Sequence, residues 1–119
     1  MGKRARRRGT VDRMTAPNFD HVSPHGDVLT LRGALPPKAR REYTDTLSGN
    51  LLSREDAWQR ATELLFERLA VRWEISDVPT EGQRELLARY RAATPDERRF
   101  VRDALREHLA EHFPELPTP

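Results

Sequence analysis

The chain has no cysteine. That excludes disulfide staples, thiolate metal ligation and a cysteine nucleophile. Lysine is nearly missing too: Lys3 and Lys38 stand alone among 21 cations. Because this arginine bias runs through the whole chain, it fits a GC-rich genome better than any one site's phosphate or carboxylate chemistry. Aromatic residues make up 7%, and hydrophobic residues only 36% against 34% charged, so a lean core sits under a heavily solvated surface. No apolar run approaches the roughly 20 residues of a membrane span, and the basic start leads into no apolar signal segment. The expectation is a cytoplasmic protein, and 119 residues fit one domain.

Charge is unevenly placed. Residues 1 to 13 hold six cations (Lys3, Arg4, Arg6, Arg7, Arg8 and Arg13) against Asp12, a net of +5. The remaining chain has 15 basic and 18 acidic residues, a net of −3. The sequence therefore divides into a disordered basic arm over residues 1–17, a single helical domain over 18–113 and a frayed tail over 114–119. Met14 offers a second candidate start, which would remove the arm.

Within the body, DVLTLR alternates Val28, Thr30 and Arg32 with Leu29 and Leu31, and S-P-H-G before it supplies a turn. This predicts a hairpin from Phe19 to Arg32. Pro36-Pro37 opens a first helix, with Ala39, Tyr43 and Leu47 on one face and Gly49-Asn50 as a left-handed stop. Ser53 caps a second helix whose stripe is Trp58, Ala61, Leu65 and Leu69, ending near Ala70. VRWEI then alternates Val71, Trp73 and Ile75 with Arg72 and Glu74, the period of a strand or extended link. Thr80 opens a capping box, T-E-G-Q, before a short third helix with Leu86, Leu87 and Tyr90 on its face. Thr94 opens T-P-D-E, with every helix-start signal, before a stripe of Phe100, Val101, Ala104, Leu105, Leu109 and Phe113. The predicted fold is mainly α: a small bundle of about four helices with a short N-terminal β-hairpin.

Chemistry-bearing motifs are few. H-L-A-E-H (His108, Glu111, His112) has the spacing H-x-x-E-H of inverted zinc peptidases, in which two histidines ligate one metal and the glutamate acts as base. It sits in a last helical turn, where histidine is favoured by the helix dipole anyway, and little chain follows to supply a third ligand. His21 and His25 flank a turn, where polar residues need no metal to explain them. With no G-x-S-x-G and no phosphate-binding glycine loop, no catalytic residue, cofactor or metal site is assigned, and a non-enzymatic protein is expected. The arm residues Lys3, Arg4, Arg6, Arg7 and Arg8 offer a salt-dependent nucleic-acid contact, without interleaved aromatics for base stacking. A small basic-armed, nucleic-acid-associated regulator is thus the alternative reading.

Taken in order, PHGDVLTLRGALPPKARRE, then LLFERLAVRWEISD, then VPTEGQRELLARY resemble the tail assembly chaperones of long-tailed bacteriophages. The resemblance covers about residues 22 to 112. It implies a small helical protein that coats the tape measure protein, keeps its long helices soluble, and helps bring tail tube subunits to it. On that reading VRWEI is the link after the helix, its tryptophan packing the helical parts together. The candidate partner-binding residues are Trp58, Phe66, Trp73, Tyr90 and Phe100, with self-association left open.

Overall fold

A computed structural model describes residues 17–49 and 54–118. The basic arm up to residue 16, the Asn50 stop and the Ser53 cap lie outside them. Two strands, β1 (Asn18–Val22) and β2 (Val28–Arg32), form the predicted hairpin. Two helices, α1 (Pro37–Ser48) and α2 (Arg54–Leu69), follow it. A second hairpin, β3 (Ala70–Ile75) and β4 (Val78–Glu81), precedes α3 (Gln83–Arg91) and α4 (Pro95–His112).

The strands form one antiparallel sheet in the order β1-β2-β3-β4. The fold is therefore α+β, with four helices against a four-stranded sheet, and the expected helical bundle is corrected. VRWEI is an interior strand: Leu29 faces Trp73 and Val28 faces Glu74 across β2–β3. This pairing joins residues more than 40 positions apart, which local periodicity cannot register.

The β3–β4 turn explains why the second hairpin hides in the sequence. Ser76 and Asp77 both take positive φ, 51° and 66°, the pattern of a type I′ turn. Its usual signal is Asn-Gly or Asp-Gly, and Ser-Asp carries neither. Asp27, on the β1–β2 turn, holds the strained backbone by accepting from the Ser76 N–H at 3.0 Å. Thr80 and Glu81 are consequently strand residues, so their expected capping box does not form. Gly82 (φ 93°) leads into α3 with no side-chain cap.

A register shift at Thr30/Leu31 pairs Thr30 with Arg72 but Leu31 with Ala70, leaving Val71 as the extra residue of a bulge. The bulge turns both Ala70 and Trp73 inward, although strict alternation would place them on opposite faces. The inner face (Leu29, Leu31, Ala70, Trp73) packs on Tyr43, Leu65, Phe66, Leu69, Val101, Leu105 and Leu109 in one core. The outer face is a polar row in which Thr30 donates to Asp20 at 2.6 Å and Arg72 pairs with Glu81 and Glu74.

Several helix signals hold. Pro37 sits in the first turn of α1 and Thr94 forms a complete capping box with Glu97. Gly49, however, ends α1 with extended backbone (φ −69°) and not in a left-handed conformation. The tail expected to fray is docked over its described residues. Leu116 is buried, Arg40 pairs with Glu115, and the Tyr43 hydroxyl donates to the Pro117 carbonyl oxygen. Burial pushes the Tyr43 hydroxyl well above its ordinary pKa, which keeps it a neutral donor. No helix among the described residues is long and apolar enough to cross a membrane.

Candidate partner interface

The five aromatic residues proposed for partner binding separate into two groups. Phe66 and Trp73 are fully buried, meeting edge to face at 5.7 Å. Trp58, Tyr90 and Phe100 are half-buried. Phe66 stacks on Tyr90 at 4.9 Å, so Tyr90 joins the core to the surface. Phe100 lies in a separate hollow beside His25, Asp27 and Trp73.

Trp58 and Tyr90 belong to one continuous depression between α2 and α4. One part, about 720 Å³, is lined by Trp58 and Gln59 with Arg99, Arg102 and Arg106. The adjoining part, about 400 Å³, shares Gln59, Arg99 and Arg102 and adds Glu63, Tyr90 and Arg98. The two helices run antiparallel here: Trp58 meets Arg106, and Glu63, further along α2, meets Arg91 and Tyr90 near the start of α4. Guanidinium groups cover the aromatic faces, Arg106 at 5.6 Å over Trp58 and Arg98 at 5.8 Å over Tyr90. Such contacts hold both partners at the surface without sealing it.

Arg91 is clamped by both carboxylate oxygens of Glu63, at 3.0 and 3.1 Å. That pair holds the Glu63 carboxyl below its usual pKa range, the hydrogen bond from Arg91 being the main cause. Along α4 the ion pairs are longer and exposed, Arg99 with Asp96 at 3.7 Å and Arg106 with Asp103 at 3.9 Å. Exposed pairs of this kind contribute little and exchange readily. In the sequence the α2–α4 arginines give no distinct block, because Arg98, Arg99, Arg102 and Arg106 are scattered among acids. Their helical spacing was the available signal.

The histidine motif is placed elsewhere and does not present a zinc-peptidase geometry. His108 is fully buried. Its Nε2 lies 2.7 Å from the Arg32 carbonyl oxygen and so donates to it, and its Nδ1 lies 3.1 Å from His21 Nε2. Both nitrogens are thus engaged in tying α4 to the first hairpin. His112 stacks on Phe19 at 3.9 Å, Glu111 is exposed, and His25 lies on the β1–β2 turn away from the other three. Among the described residues no group of three histidine, aspartate or glutamate side chains is placed to hold a metal ion. With its Nε2 donating, His108 accepts at Nδ1 from His21 Nε2, and His21 Nδ1 lies 3.5 Å from Glu107 Oε1. The cluster has the form of a polar seam between β1 and α4.

No family model, curated protein or solved structure matches the chain.

Proposed function

We propose that this protein is a non-enzymatic assembly chaperone of the phage-tail type, which binds the tape measure protein and keeps it soluble until tail tube subunits arrive. The observation that carries this reading is the open depression between α2 and α4, with the half-buried Trp58 in its wall. A shallow groove between two antiparallel helices accepts a third helix by the same ridge-and-groove packing that builds bundles, and a tape measure protein offers long helices. The order of the segments adds support. Within the first two of the three stretches that carry the resemblance, DVLTLR and VRWEI pair as neighbouring strands whose inner face packs on the helices.

The test is co-expression with a long helical tape measure candidate from the same genome, scored by that protein's soluble fraction. The expected result is solubility that depends on this chain and falls on Trp58→Ala, with the variant's circular dichroism unchanged. A tape measure protein equally insoluble with and without the chain would overturn the reading.

A further inference from the structure

Charge on this body is concentrated against its average. The described residues carry 15 lysine and arginine side chains against 18 aspartate and glutamate, so the body as a whole is acidic. Six of those cations (Arg54, Arg91, Arg98, Arg99, Arg102 and Arg106) line the α2–α4 depression, with Glu55, Glu63 and Asp103 as its acids. The groove is therefore net +3, and the remainder of the body is left with nine cations and fifteen acids.

The charge is also sorted across the groove. Arg99, Arg102 and Arg106 stand at i, i+3 and i+7 on α4, one face of the helix, and with Asp103 as the acid lining beside them that wall is net basic. The α2 wall is mixed, with Arg54, Glu55, Gln59 and Glu63, and Trp58 is the large apolar side chain in it. The hollow beside α1 differs in composition: its lining cations are Arg32, which donates to the carbonyl oxygens of Arg68 and Ala70, Lys38, and Arg68, which pairs with Glu42.

Resting on the chaperone reading above, we infer that the α2–α4 groove takes an acidic amphipathic α-helix, its carboxylate stripe against Arg99, Arg102 and Arg106 and an apolar side chain seated on Trp58. The length fits a short helix: residues 95 to 106 of α4 rise about 17 Å at 1.5 Å per residue, roughly three turns. Arginine forks suit carboxylates bidentately. A nucleic-acid backbone, anionic throughout, would meet Glu55 and Glu63 on the opposite wall, whereas a helix with a single acidic stripe turns a different face to them. The segregated walls thus favour a protein helix over a polyanion.

The experiment is calorimetric titration of the full chain with synthetic helical peptides of about fourteen residues, roughly four turns. One has a leucine stripe flanked by glutamates on one side, and its counterpart has lysines at the glutamate positions. A DNA oligonucleotide serves as the third probe. The glutamate peptide is expected to bind at least tenfold more tightly than the lysine peptide, about 1.4 kcal/mol. An Arg99→Glu/Arg102→Glu protein, folded by circular dichroism, is expected to reverse that preference. Equal binding of both peptides, an unchanged preference in the charge-reversed protein, or displacement of the glutamate peptide by DNA would overturn the inference. The two readings fail separately. If the charge-reversed protein still keeps the tape measure protein soluble, the groove assignment fails and the chaperone reading stands. If the peptide binds as expected while the tape measure protein precipitates beside the wild type, the chaperone reading fails and the groove chemistry stands.

Discussion

His108 shows how a residue type that suggests chemistry becomes part of the frame. It packs among Phe19, His21, His112 and Phe113, with Glu107 and Glu111 on the outer side of the same helix. Burial is the main cause that lowers its pKa, with repulsion from His21 and His112 adding to it against the raising effects of the Arg32 carbonyl and Glu111. Lowering a base's folded pKa means the unfolded chain binds the proton more readily. Stability is therefore complete above the unfolded value near 6.5 and is lost as pH falls through the window beneath it. Urea midpoints are expected to drop between pH 7 and pH 5 in the wild type. In His108→Leu that slope should flatten, while overall stability falls by about 1–3 kcal/mol for the unpartnered Arg32 carbonyl. An equal slope in both proteins would assign acid sensitivity to other groups.

Among the elements, the two hairpins make a useful contrast. The β1–β2 hairpin was legible because S-P-H-G places proline and glycine in the turn, and Gly26 does take a positive φ of 90°. The β3–β4 hairpin was half legible: VRWEI read as extended, but its partner VPTE read as a link and a helix cap. Ser76 and Asp77 occupy a backbone region that costs non-glycine residues about 1 kcal/mol or more each. Ser76→Asn with Asp77→Gly is expected to raise stability by about 0.5–1 kcal/mol, seen as a higher melting temperature, because that pair suits the turn. At the other end of α3, Thr94→Ala should cost about 1 kcal/mol through loss of the capping box, and Thr94→Ser should restore most of it. Melting temperatures of the two variants would check this, since equal values would show that the cap contributes nothing.

Across the whole molecule, Trp73 joins the layers. It pairs with Leu29 and Thr80 in the sheet, meets Phe66 of α2, and has the Arg89 guanidinium 5.5 Å from its ring. Its indole N–H is buried with no hydrogen-bond partner among the described residues, so the ring is held by packing and the Arg89 contact. Truncation to alanine is expected to cost about 3–5 kcal/mol, a large share of the 5–15 kcal/mol typical of a domain. Denaturant unfolding should show a markedly lower midpoint and a weakened near-ultraviolet signal. A midpoint within the range of a surface substitution would mean that the sheet and helices are joined elsewhere.

What the sequence determined by itself is local: the first hairpin, four helices, the Thr94 start, and the lean, arginine-rich composition. Each is encoded within a few residues, in periodicity, caps and turn chemistry. Tertiary structure decided what depends on residues far apart in the chain. The β2–β3 pairing converts a bundle into a sheet with helices on one face, and the Val71 bulge selects which residues of β3 turn inward. The packing of α4 on β2 draws His108 into the core. The approach of α2 to α4 gathers arginines scattered among acids into one basic wall, because side chains from separate helices share a surface only once both helices have docked.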